Sequence, residues 1–149
     1  MKQIPLGKSG KFALVDDADF DWLSQLKWRD SCNGYASSGV KSIKMHRLIM
    51  QTPKGMHTDH IDGNGLNNQR SNLRICTQSQ NGMNRGAQIN STSGNKGVFK
   101  RGKRWKSQIK VGKKIKYLGY FASKTEAAIA YNKAALEHFG EFARLNEVA

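Results

Sequence analysis

One imidazole and three polar side chains between residues 57 and 84 could together hydrolyse a phosphodiester bond. Asp59 and His60 are adjacent, Asn72 follows His60 by twelve residues, and Asn81 follows Asn72 by nine. A carboxylate and an amide oxygen can hold a hard divalent ion, and an imidazole beside them can take a proton from water. The remaining amide could fix the orientation of that imidazole. No other stretch of the sequence offers a comparable set.

Each of these residues also has an ordinary structural explanation. An isolated Asp-His pair in a loop is usually incidental, Asn72 could cap a helix, and Asn81 could be a turn residue. Their joint occurrence, with Met45-His-Arg-Leu48 upstream, favours one shared chemical role. Two nearby cations, Arg70 and Arg74, are candidates for clamping a phosphate, and the alternative for each is an ordinary surface arginine.

This pattern resembles the core of the HNH nuclease family over about forty residues, 44–84. The resemblance implies a ββα-metal fold, with a strand over 57–61, a turn at 62–65, and a later segment, 74–84, that brings Asn81 to the metal. It implies that Asp59 is the first metal ligand, His60 the general base, Asn72 the amide that orients the base, and Asn81 the second ligand. Oxygen ligands of this kind suit Mg²⁺ or Mn²⁺.

Residues 1–43 are expected to brace this core. Residues 12–15 predict a short strand, and the spacing of Phe20, Leu23 and Leu26 predicts a helix whose acidic first turn faces solvent. From Gly34 the pattern predicts a hairpin that continues into 43–50.

The charge of the chain indicates a polyanionic partner. The net charge is +14, of which residues 91–149 contribute +9 from thirteen basic and four acidic side chains. Such an excess favours nucleic acid, and a merely solvated surface is the alternative. The sequence has no apolar run of about 18 residues and no signal-peptide core at its start, so we expect a cytoplasmic protein of a phage or bacterium, without membrane association. Cys32 and Cys76 are expected to be reduced thiols.

The C-terminal part predicts three strands and one helix. The strands are expected at 96–99, 104–111 and 114–121, and alternation along the second places Arg104, Lys106, Gln108 and Lys110 on one face. Ser123 and Glu126 form a capping box, and an alanine-rich stripe on the helix should pack against the other face. The polar stretch 85–95 is the expected linker.

Residues 95–146 are similar to the DNA-binding domain of plant ethylene-response factors, through pieces such as Arg104-Trp-Lys-Ser-Gln-Ile-Lys110 and Tyr117-Leu-Gly-Tyr-Phe121. That resemblance implies a sheet that enters the DNA major groove. It places the following residues at DNA-facing positions: Lys96, Arg101, Gln108, Lys110, Tyr117 and Tyr120. Several arginines of that family are replaced here, at Lys96, Phe99, Lys110 and Ile115, which predicts looser base specificity. RNA binding by a generic basic sheet is the alternative.

Taken together, the sequence predicts an α+β protein in which a ββα-metal core is joined to a three-stranded antiparallel sheet packed on one helix. The predicted division is 1–43, 44–84, 85–95 and 96–149. The expected function is a metal-dependent HNH endonuclease of the homing type that acts on double-stranded DNA as a monomer or homodimer and nicks one strand per active site. The alternative is a non-catalytic DNA-binding regulator with a vestigial nuclease fold.

Overall fold

The computed structural model describes residues 1–39 and 41–148, and the chain divides into two compact units, residues 1–81 and 82–149. The first unit contains three small antiparallel sheets, two short α-helices and the first part of a third. Its elements are β1 (Lys2–Pro5), β2 (Phe12–Val15), α1 (Asp17–Leu23), β3 (Trp28–Asp30), β4 (Ala36–Ser38), β5 (Ile43–Lys44), α2 (Met45–Ile49), β6 (His57–His60), β7 (Leu73–Cys76) and α3 (Gln78–Met83). The division between the units falls within α3.

The core of the first unit is assembled from apolar residues of all these sheets. β1 pairs with β2, β3 with β4 and β4 with β5, and β6 with β7. The buried cluster is Ile4, Leu6, Ala13, Val15, Leu23, Trp28, Ala36, Met45, Ile49 and Leu73. Leu73 of β7 belongs to this cluster. β7 pairs with β6, the strand that carries Asp59 and His60.

The prediction of a hairpin continuing through residues 43–50 was wrong. The strand ends at Lys44, and the next five residues form the helix α2. Met45 and Ile49 are four residues apart, so a helix places both on one face, where both are buried in the core. His46, three residues before Ile49, is buried as well, whereas an alternating strand would place it on the opposite face and put Arg47 beside Met45 and Ile49.

The helix α1 is shorter and its acids are less solvated than the sequence suggests. It ends at Leu23, so Leu26 lies outside it and is exposed. Asp19, in the first turn, is buried, and its carboxylate accepts two hydrogen bonds from the Arg70 guanidinium at 2.8 Å each. The expectation of a wholly solvated acidic turn was therefore wrong for Asp19.

The second unit is a three-stranded antiparallel sheet with one long helix. Its elements are β8 (Val98–Arg101), β9 (Arg104–Val111), β10 (Lys114–Phe121) and α4 (Lys124–Phe139), in the sheet order β10-β9-β8. The Ser123 hydroxyl accepts from the Glu126 N–H at the start of α4, and the Glu126 carboxylate accepts from the Ser123 N–H. Within the described residues, no helix is long and apolar enough to cross a bilayer.

The helix α4 packs through small residues onto one side of this sheet. The buried stripe of the helix is Ala127, Ala128, Tyr131, Ala134, Ala135 and Phe139. Alanines let the helix axis approach the strands closely, and Gly97 adds to this closeness because a Cβ there would collide with the Tyr131 ring. The sheet side that faces α4 carries Val98, Trp105, Ile109 and Phe121.

Candidate functional site

Asp59 and His60 occupy the end of β6, and both are buried, each with 5% of its surface exposed. In the register with β7, Asp59 lies opposite Arg74 and His60 opposite Leu73. Immediately after the strand, the Ile61 N–H donates to the Asn72 carbonyl at 2.9 Å, which closes the loop that follows. The pair is thus held by a short two-stranded ribbon and by the ends of one loop.

Asn72 braces this loop. Its Oδ1 accepts from the Asp62 N–H at 3.0 Å, and its Nδ2 donates to Asp62 Oδ1 and to the Asn67 carbonyl at 2.9 Å each. The second oxygen of Asp62 accepts from Asn67 Nδ2 at 2.8 Å. These bonds occupy both N–H groups of the Asn72 amide and one lone pair of its oxygen, and all of them go to residues 62 and 67 of the loop.

The amide that contacts the imidazole is that of Asn68. His60 Nε2 lies 3.3 Å from Asn68 Oδ1, and Asn68 is fully buried, with its own N–H donating to the Leu14 carbonyl at 2.8 Å. An amide oxygen can only accept, so this geometry assigns the proton to Nε2 and the lone pair to Nδ1 of the neutral ring. No sequence feature singled out Asn68, which is one of four asparagines in the loop 61–72.

Two more rings complete the surroundings of His60. The His46 ring packs edge-on against it with centroids 4.9 Å apart, and the Tyr35 ring lies 5.7 Å away. Burial lowers the pKa of His60, although the hydrogen bond to Asn68 and the carboxylates of Asp62 and Asp59 act in the opposite direction. Burial is the largest effect, so the imidazole is kept neutral and able to accept a proton at neutral pH.

His46 is more deeply perturbed than His60. Burial, followed by the charges of His60, Arg47 and Lys44, lowers the pKa of His46 to about 3. Its Nδ1 is buried without a hydrogen-bond partner among the described residues, and its ring also contacts the Tyr35 ring at 5.2 Å. His46, Tyr35 and His60 therefore form one ring cluster in which both imidazoles are buried, and of these three residues the sequence indicated only His60 as functional.

The two candidate phosphate clamps are both engaged in carboxylate pairs. Arg74 donates to Asp59 Oδ2 through Nε at 2.9 Å and through Nη2 at 2.8 Å, and its side chain is largely buried. Arg70 is paired with Asp19, and this contact lowers the pKa of Asp19. Arg74 thus lies beside the candidate metal ligand, whereas Arg70 connects the loop to α1.

Asn81, the second candidate ligand, lies in α3, half-buried, with its N–H donating to the Thr77 carbonyl at 3.0 Å. Across residues 1–39 and 41–148, no three His, Cys, Asp or Glu side chains are grouped to hold a metal ion. The two candidate ligands are a carboxylate and an amide, the oxygen donors that a hard ion such as Mg²⁺ prefers.

The second unit carries a separate cationic surface, here called the outer face. It is the side of the sheet opposite α4, and its residues are Phe99, Arg101, Arg104, Lys106, Gln108, Lys110, Ile115, Tyr117 and Tyr120. All four acidic residues of the second unit lie elsewhere, in α4 or after it. Five of the six residues predicted to face DNA are on this face.

The exception is Lys96. Its Nζ donates to the Met83 carbonyl at 2.5 Å. Its backbone N–H donates to Asn146 Oδ1, and its carbonyl accepts from Asn146 Nδ2. Burial, with the charges of Arg144 and Arg85, lowers the pKa of Lys96 to about 8. Lys96 therefore caps the end of α3 and is not part of the outer face.

Comparison with known proteins agrees with the motif. The family model described as HNH endonuclease matches residues 44–83. The chain is 34% identical over 148 residues to protein L560 of Acanthamoeba polyphaga mimivirus, named as an uncharacterized HNH endonuclease, covering 93% of this chain and 76% of that protein.

Two shorter matches cover about a third of the chain. The SPbeta prophage-derived protein YosQ of Bacillus subtilis (strain 168), with HNH homing endonuclease in its name, is 40% identical over 52 residues, covering 32% of this chain and 30% of YosQ. Protein 3.8 of Escherichia phage T7 is 46% identical over 46 residues, covering 31% of this chain and 38% of that protein. No solved structure gave a significant match. On the match to residues 44–83 and the similarity to L560 along most of both chains, the chain belongs to the HNH endonuclease family.

Proposed function

We propose that the protein is a metal-dependent endonuclease that hydrolyses phosphodiester bonds in double-stranded DNA. The observation that carries this proposal is the buried, hydrogen-bonded His60 beside Asp59, at the end of a strand within the segment that the HNH model matches. A neutral imidazole with one nitrogen fixed by an acceptor is the form a general base requires.

His60 is the proposed general base, and Asn68 is its positioning residue. Because Asn68 Oδ1 accepts the Nε2 proton, the lone pair on Nδ1 can take a proton from the attacking water. Asn72 and Asp62 hold the loop whose ends flank the ring, so the direction of that lone pair is set before substrate binds. Preorganisation of this kind lowers the cost of reaching the reactive geometry.

Asp59 and Asn81 are the residues that would hold the divalent ion, Mg²⁺ or Mn²⁺. When bound, such an ion polarises the phosphate and stabilises the leaving oxygen. Arg74 fixes the Asp59 carboxylate through Oδ2 and thereby orients it at the end of β6. One such site per chain makes a single-strand nick the expected product of a monomer, and a homodimer could cut both strands.

The test is conversion of supercoiled plasmid to open-circular or linear DNA with Mg²⁺ and with EDTA. His60→Ala should slow cleavage at least about 100-fold, the range for loss of a general base. The matched control is His57→Ala, on the same strand but partly exposed, which should cleave normally. Tight DNA binding by the wild-type chain without any metal-dependent cleavage would overturn the proposal and favour the non-catalytic regulator.

The role of Asn68 has its own test. Asn68→Ala removes the acceptor and should lower kcat about 10-fold or more with KM for DNA unchanged, because ground-state binding is untouched. Asn68→Asp keeps an oxygen acceptor of the same shape and should restore much of the rate. If Asn68 were only a packing residue, the buried charge in Asn68→Asp would be at least as harmful as Ala, and no rescue would appear.

We further propose that the outer face binds the duplex. Its four cations without any acid, its exposed tyrosines and the similarity to ethylene-response-factor domains support this. Lys110→Ala should weaken binding and reduce the slope of log K against log salt by about 0.9, the value for one lost phosphate contact. Lys133→Ala, an exposed lysine on α4, is the charge-matched control. Equal effects of both substitutions would mean that net charge, and not the outer face, governs binding.

A further inference from the structure

The outer face contains two apolar side chains that a purely phosphate-binding surface does not need. Phe99 in β8 is 38% exposed and Ile115 in β10 is 50% exposed. In the sheet register Phe99 lies opposite Lys106, and Ile115 lies opposite Lys110. Both are therefore set among cations, on the two outer strands, and both point away from α4.

The dimensions of the outer face fit the major groove. Neighbouring strands lie about 4.8 Å apart, so three strands span about 10 Å, and the groove is about 12 Å wide. Along β9, the partners of Phe99 and Ile115 are four residues apart, about 13 Å at 3.3 Å per residue. Combined with the width of the sheet, Phe99 and Ile115 are about 16 Å apart, which is about five base-pair steps.

In the major groove, one base presents an apolar group. Thymine carries a C5 methyl there, whereas guanine, cytosine and adenine carry no methyl group at their major-groove edges. Gln108 lies on the central strand between the two apolar residues, and a Gln amide matches the N6 and N7 pattern of adenine. Phe99, Ile115 and Gln108 thus share one preference, for A·T pairs.

We propose that Phe99 and Ile115 recognise thymine methyl groups, so that the outer face selects a short A·T-containing site. This inference rests on the proposed function, because it requires the outer face to bind duplex DNA.

Stacking of unpaired bases is the competing use of exposed aromatic rings, and two observations count against it. Ile115 has no ring to stack. The ammonium of Lys106 lies 4.4 Å from the centroid of the Tyr117 ring and covers one of its faces. A platform for single strands needs open ring faces, so duplex recognition accounts for more of this surface.

The experiment compares thymine with uracil, which lacks only the methyl group. Duplexes selected from a random library by the full-length chain, in EDTA to prevent cleavage, are resynthesised with single T-to-U replacements, and Kd is measured by fluorescence anisotropy. For wild type, replacement at a contacted position should raise Kd about fourfold, the value of one buried methyl. Phe99→Ala should bind the T and U duplexes with equal Kd at the position that Phe99 contacts. Ile115→Ala should do the same at the position that Ile115 contacts.

The matched control is Ile129→Ala, which truncates an equally exposed apolar residue on α4 and should retain the discrimination. Unchanged Kd at every T-to-U position, or selection of G·C-only sites, would refute the inference while leaving duplex binding intact. Preference for single-stranded DNA or RNA over the duplex would replace it with the stacking alternative. If the chain bound no duplex at all, the proposed function itself would fail, and this inference with it.

Discussion

Mild acid should destabilise the first unit through His46. The ring of His46 is buried against His60 and Tyr35, and its pKa is lowered to about 3. At pH 5 the folded unit therefore holds His46 neutral, whereas the unfolded chain protonates it near pH 6.5. The protonated form is the one that the fold disfavours.

The sign and size of the effect follow from proton linkage. Below pH 6.5 the unfolded state binds more protons than the folded state, so the stability is fully present above that pH and is lost as the pH falls towards 3. Between pH 7 and pH 5 the loss from one such histidine is about 2 kcal/mol. This figure barely depends on the folded pKa, because any value below about 4 gives the same result over this range. His60, whose pKa is also lowered, contributes a loss in the same direction.

Urea unfolding at pH 7, 6 and 5 measures this loss. In a Trp105→Phe background the remaining tryptophans, Trp22 and Trp28, both lie in the first unit, so fluorescence reports on that unit alone. Between pH 7 and pH 5, the free energy of unfolding of His46→Gln should fall by about 2 kcal/mol less than that of the parent chain. His57→Gln, which changes a partly exposed histidine of the same unit, should lose as much as the parent.

Equal pH dependence in His46→Gln and the parent would refute the reasoning, because it would mean that the folded unit accepts the proton as readily as the unfolded chain. Should His46→Gln fold poorly, the wild-type chain gives an independent measurement. The ring protons of His46 should then show no NMR titration between pH 7 and pH 5. A midpoint near 6.5 for that ring would contradict the prediction equally well.

Two substitutions test the packing that supports the two sites. Gly97→Ala should destabilise the second unit by on the order of 4 kcal/mol, because Gly97 has a left-handed backbone and a Cβ there would overlap the Tyr131 ring. The control is Gly82→Ala, where a Cβ meets no atom within 4 Å and stability should be retained. Similar losses of unfolding free energy for both variants in urea titrations would contradict this prediction. Arg70→Met should cost the first unit about 1–2 kcal/mol because it leaves the buried Asp19 carboxylate without its charged partner. An unchanged unfolding midpoint would show that solvent replaces that partner without cost.

The parts of the fold that local chemistry decides were predictable from the sequence. The start of α4 needed only Ser123 and Glu126, and its buried stripe needed only helical spacing of small residues. The strands β9 and β10 span the residues predicted, because alternation of basic and apolar side chains is itself the strand signal. In each case the determining partners are within a few residues of one another.

Tertiary partners decided the positions where prediction failed. Met45 begins a helix because the core of the first unit can bury Met45 and Ile49 together. Asp19 is buried because Arg70, fifty-one residues away, pairs with it. Lys96 lies off the outer face, and its Nζ donates a hydrogen bond to the Met83 carbonyl, at the end of α3. Neither charge nor periodicity near these residues contains that information.

The two asparagines at the candidate site show which of its contacts the motif predicts and which it does not. Spacing from His60 identified Asn72, and the structure gives it a fixed place as the brace of the loop. Asn68 lies beside the imidazole, because the loop that Asn72 closes turns residue 68 inward against β2, where its N–H binds the Leu14 carbonyl. The amide named by the motif thus braces the loop, and the amide that contacts the imidazole is determined by the fold. Loss of Asn72 should therefore disturb the loop and the base together, whereas loss of Asn68 should disturb the base alone.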